Sequence, residues 1–162
     1  MKLQPFAALA AVLFFAISPA QAASDVWTAA MQEDEGGEVM TAWVDGVATE
    51  GAEFPPSLRM ICFDQVNLRY DMGDLPDDQY PVPGDEHDFT LRSGQTEVTL
   101  HMLYEDMDGA FAAYFGKTDP ALDLLRAGDN VEITAAADKY PPLSFTLNGA
   151  AVAIDALLAA CP

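Results

Sequence analysis

Two cysteines, Cys62 and Cys161, do most to limit what this chain can fold into. Cys161 closes a C-terminal unit, from Leu143 onward, that reads as a strand, a turn and an apolar helix. Leu143, Phe145 and Leu147 alternate with Ser144 and Thr146, and Asn148-Gly149 breaks the run before an alanine-rich stretch. Ile154, Leu157, Leu158 and Cys161 then recur at helical spacing, so one helix face carries both the packing surface and the thiol. Cys62 lies in the most hydrophobic strand-like run. A Cys62–Cys161 bridge is therefore expected, with a free, buried Cys62 as the competing reading. The bridge would pin the terminal helix to that strand and close a long loop, an effect of up to about 4 to 5 kcal/mol in the chain-entropy relation.

A disulfide needs an oxidising compartment, and the first residues supply a route to one. Lys2, the apolar run Phe6 to Ile17 and the small-residue triplet Ala20-Gln21-Ala22 read as an export signal cleaved near Ala22. The apolar run is shorter than the roughly 20 residues that cross a bilayer, which disfavours a membrane anchor. The expected location is the periplasm or the exterior. Residues 1–22 are then signal and 23–162 a single β-rich domain, long enough for a real core. The cysteines lack Cys-x-x-Cys spacing, so a structural bridge is expected ahead of a metal or redox pair.

Charge narrows the partners. The chain has 7 basic and 26 acidic residues, a net charge of −19. Removal of the signal takes Lys2 and no acid, leaving 6 basic against 26 acidic residues, or −20. Nucleic acid and an anionic membrane surface are excluded as partners by that balance. Solubility alone would explain such a surface; a cationic protein partner or calcium would explain it more specifically.

Val26 to Met31 and Val39 to Val44 read as a hairpin around an acidic Gly36-Gly37 turn, with Trp27 and Trp43 as its core. In the Ser57 to Asp71 stretch, Leu58, Met60 and Cys62 alternate with Arg59, Ile61 and Phe63. A two-residue turn at Asp64-Gln65 would set Phe63 opposite Val66, Ile61 opposite Leu68 and Arg59 opposite Tyr70. On that register the terminal helix covers the Leu58/Met60/Cys62 face, and the Ile61/Phe63/Leu68 face needs a second layer. Residues 72–88 read as loop, with a strand from Phe89. Asp108-Gly109 reads as a tight turn pairing Met102 with Phe115 and Tyr104 with Ala113. Pro120 after Asp119 starts a short helix that Gly128 stops. The expected fold is mainly β (α+β): an antiparallel sheet or sandwich with one short internal helix and a disulfide-tied C-terminal helix.

Catalytic chemistry is poorly supplied. Past the signal there are two histidines, His87 and His101, and no Gly-x-Ser-x-Gly, phosphate-binding glycine loop or His-Glu-x-x-His helix. His101 reads as an ordinary strand residue; His87, among Asp85, Glu86 and Asp88, is a metal candidate or a solvated loop residue. Paired carboxylates would suffice for glycoside hydrolysis, a signal with little specificity among 26 acids. Asp106 and Asp108 are calcium candidates, although the Asp-x-Asp-x-Asp-Gly spacing closed by glutamate is missing. The methionines read as core packing ahead of copper handling. No catalytic residue and no cofactor is expected. The loop acids Asp74, Asp77, Asp78, Asp85, Glu86 and Asp88 are the residues best placed to meet a partner, a protein of basic character.

An early Trp27, the run Leu58-Arg59-Met60-Ile61-Cys62 leading to Val66-Asn67-Leu68-Arg69-Tyr70, the helix after Asp119-Pro120, and the ending from Phe145 through Gly149 to Cys161 together resemble VasI-like exported proteins associated with bacterial type VI secretion. A fainter likeness is to invasion-associated locus B proteins. The resemblance implies a small β-rich periplasmic protein with one bridge, acting as an accessory or interaction module and not as an enzyme. An inhibitor of a cationic secreted hydrolase such as a lysozyme is the alternative, and a carboxylate-based hydrolase the more distant one.

Overall fold

A computed structural model describes residues 25–34, 36–48, 51–136 and 139–162; the expected signal segment lies outside them. In chain order the elements are β1 (Thr28–Asp34), β2 (Gly37–Asp45), β3 (Ser57–Cys62), β4 (Val66–Asp71), β5 (Glu86–Ser93), β6 (Thr96–Glu105), β7 (Ala110–Phe115), α1 (Pro120–Ala127), β8 (Asn130–Ala135), β9 (Leu143–Thr146) and α2 (Ala150–Ala160). One 3-10 turn, Asp77–Gln79, lies between β4 and β5. The strands form one antiparallel sheet in the order β1-β2-β3-β4-β7-β6-β5-β8-β9. The sheet curls until β9 approaches β2. Two hydrogen bonds fasten the ends: the Trp27 amide donates to the Asn148 carbonyl at 2.9 Å and the Trp27 indole to the Thr146 carbonyl at 2.8 Å.

The inner face carries the core. Val44, Leu58, Met60, Leu68, Tyr70, Phe89, Met102, Phe111 and Phe145 are fully buried there. Helix α2 lies over β1, β2 and β3, while α1 packs on β5 and β6, and the helices touch each other. Asp119 caps α1 by accepting a 2.9 Å hydrogen bond from the Ala121 amide, with Pro120 at the first helical position. Gly149 starts α2 at φ +79°, and a Cβ there would stand 2.9 Å from Val26 and 3.3 Å from the Trp27 carbonyl. Only glycine satisfies both demands. Ile154 and Leu157 of α2 enter the core, and Cys161 is disulfide-bonded to Cys62 with their Cα atoms 5.4 Å apart. The bridge and the covered face agree with the expectation from helical spacing.

The strand registers differ from expectation in two hairpins. Between β3 and β4 the turn holds Phe63, Asp64 and Gln65, so Cys62 pairs with Val66, Met60 with Leu68 and Leu58 with Tyr70. This one-residue shift moves Leu68 and Tyr70 onto the same inner face as Met60 and Cys62. The apolar set anticipated beneath a second layer is thereby split: Leu68 joins the inner core, Phe63 is exposed, and Ile61 is buried on the outer face between Thr41 and Asn67. Between β6 and β7 the turn spans 106–109, pairing Tyr104 with Phe111 and Leu103 with Ala112. Trp27 is core as expected. Trp43 is not; it lies half-buried on the outer face opposite Arg59.

Candidate functional site

Antiparallel alternation sends β2, β4, β6 and β8 out at one end of the sheet and β3, β5, β7 and β9 back in from it. The described residues of the connections 46–56, 72–85, 106–109 and 136–142 consequently gather there. Main-chain hydrogen bonds hold them to one another and to the neighbouring strands. The Asp74 amide donates to the Phe54 carbonyl at 3.3 Å, the Tyr104 amide to the Asp85 carbonyl at 2.8 Å and the Ala136 amide to the Asp88 carbonyl at 2.8 Å. The Asp74 carboxylate accepts from the amides of Glu53 and Phe54. Gly73, at φ +68°, packs its α-carbon where a Cβ would lie 2.7 Å from the Phe54 carbonyl oxygen and the Pro56 nitrogen.

This end is acidic. In the four connections the described residues include Glu53, Asp74, Asp77, Asp78, Asp85, Asp106 and Asp108, against Lys139 as the one base. Asp77, Asp78, Asp106 and Asp108 are exposed. The two loops singled out from sequence, 72–88 and that around Asp106, thus form parts of a single surface. Asp85 accepts from the Val82 amide at 3.0 Å and pairs with Lys139 at 3.5 Å; the amide first, then the lysine, hold its carboxyl below the usual range. Asp71 moves the other way. Burial, the largest influence, raises its pKa, with Asp74 adding to it and the Gly73 amide and Arg59 opposing.

The two calcium candidates separate in role. Asp108 accepts from Arg69 at 3.0 Å, and Glu105 pairs with the same guanidinium at 3.7 Å, so a cation of the chain itself already faces them. Asp106 is exposed. Among the described residues no group of three or more His, Cys, Asp or Glu side chains is arranged to hold a metal ion. Beneath the acidic rim a small hollow of about 90 Å³ is lined by Ser57, Arg59, Arg69, Asp71, Asp108 and Ala110.

His101 lies on the exposed face of β6, as its strand reading expected, whereas His87 lies in β5 and not in a loop. His87 turns inward, its ring centroid 5.5 Å from Tyr140 and 5.8 Å from Phe111. His101 instead meets two acids: Nδ1 lies 2.9 Å from Asp88 and Nε2 3.4 Å from Glu86, and these hydrogen bonds, Asp88 first, raise its pKa. The pairing follows from β5 starting at Glu86, three residues before the expected Phe89, which places Asp88 directly opposite His101. Alternation of Glu86, Asp88 and Thr90 with His87, Phe89 and Leu91 was the available signal.

No family model and no curated protein matches the chain. Among solved structures, it is similar to the crystal structure of invasion associated protein B from Bartonella henselae. The identity is 18%, over 84% of this chain and 92% of that one, with a TM-score of 0.53. At that identity the likeness is one of fold. It extends the fainter of the two sequence resemblances to the arrangement of strands and helices, and does not bear on the link to type VI secretion.

Proposed function

We propose that this protein is an exported, non-enzymatic accessory protein that binds a basic protein through the acidic end of its sheet. The observation that carries the reading is the convergence of four connections with seven described acids and one lysine on one surface. Such a surface concentrates a cationic partner and speeds its association. The disulfide fits an oxidising compartment, in keeping with export and cleavage near Ala22. The sequence resemblance supplies a narrower version, an accessory role beside a secretion apparatus.

Titration with a panel of basic and neutral folded proteins at low ionic strength tests the reading. Saturable binding to basic members that weakens steeply with salt is expected; equal binding to neutral members, or none to any, contradicts it. A lysozyme in the panel doubles as a test of the inhibitor alternative, since its cell-wall hydrolysis should fall in step with occupancy if the acidic end blocks its active site.

A further inference from the structure

On the outer face of the sheet, Arg59 of β3 sits directly between Trp43 of β2 and Arg69 of β4. Like charges in directly opposed positions repel. Arg69 is neutralised by Asp108 and Glu105. Of the other basic side chains among the described residues, Arg92 pairs with Glu97, Arg126 with Asp155 and Lys139 with Asp85, while Lys117 donates to the Cys161 and Pro162 carbonyl oxygens. Arg59 alone among these has no hydrogen bond and no ion pair, in a chain of 26 acidic residues. Its guanidinium is exposed beside the small hollow and feels Asp71 only at longer range.

We propose that Arg59 is the anchor for a carboxylate on the partner, so that the docking segment carries an acidic side chain flanked by cationic ones. This deepens the proposed function and rests on it. The neighbourhood fits mixed charge better than a free anion: Asp71 and Asp108 line the same hollow, and Asp45 and Glu105 stand on the sheet edge facing the acidic end. A lone anion is repelled from that surface, whereas a segment held by its lysines brings its carboxylate within reach of the planar guanidinium fork. Trp43 and the exposed Tyr114 on the same outer face add the residue types that concentrate binding energy at protein contacts.

End-blocked lysine–glycine peptides carrying one Glu, moved position by position, are compared by fluorescence anisotropy with counterparts carrying Gln. At one or more positions the Glu peptide should bind the wild-type protein about tenfold tighter than its Gln partner, despite its lower positive charge. Arg59→Gln should abolish that preference while leaving the Gln peptides bound as well or better, and Arg59→Lys should restore part of it. A uniform order of Gln over Glu in the wild type, or a Glu preference that survives in Arg59→Gln, overturns the proposal while leaving the acidic docking surface standing. Failure of every peptide to bind removes both. Self-association of the wild type at low salt that Arg59→Gln abolishes would seat a second copy on Arg59 and also overturn it.

Discussion

His101 and Gly73 show how single residues are set by neighbours distant in sequence. Asp88 and Glu86 accept from the His101 ring and favour its imidazolium, so its pKa in the folded protein lies above 6.5. The resulting stabilisation is complete below the unfolded value and fades as pH rises through the folded one. The stability advantage of the wild type over His101→Gln should therefore shrink as pH is raised above 6.5, in denaturant melts at successive pH values. An advantage that grows over that interval would refute the assignment. Gly73→Ala should destabilise by about 1 to 3 kcal/mol, because the left-handed backbone and the adjacent Phe54 and Pro56 main chain both resist a Cβ. An unchanged melting temperature would show that the 51–56 and 72–85 connections are not in fact held together there.

At the scale of elements, the disulfide and α2 work as one unit. Cys62 and Cys161 are separated by 99 residues, so removing the bridge should lower stability by up to about 4.7 kcal/mol in the chain-entropy relation. Unfolding of the oxidised protein against Cys62→Ala/Cys161→Ala measures this, and a loss near zero would mean that packing of Ile154 and Leu157 alone holds the helix. This unit was legible in the sequence because helical spacing fixes which residues share a face. Register was less so. Whether the β3–β4 turn takes two residues or three decides which face Leu68 and Tyr70 occupy, and alternation within each strand is satisfied either way. The inward position of Tyr70 is matched by partners remote in sequence: its ring meets Phe89 at 5.5 Å and Phe145 at 6.1 Å, and it pairs across the strands with Phe111. The same nonlocal pairing brought Asp88 to His101 and left Trp43 beside Arg59.

For the whole molecule, the sequence announced a surplus of acid but not its geography. Loops 72–85 and 106–109 became one surface because β4 and β6 leave the sheet at the same end, with β7 between them. Removal of the signal should be visible as a mature protein beginning at Ala23 in N-terminal sequencing, and retention of residues 1–22 would contradict the exported reading. The central claim, that position and not net charge makes the binding surface, is tested most directly by two triple variants of equal charge. One neutralises the acidic end, Asp77→Asn/Asp78→Asn/Asp106→Asn, and the other the opposite end, Glu33→Gln/Glu38→Gln/Asp64→Asn. Affinity for a basic protein from the panel should fall about tenfold or more in the first and change less than about twofold in the second. An equal loss in both would contradict the account.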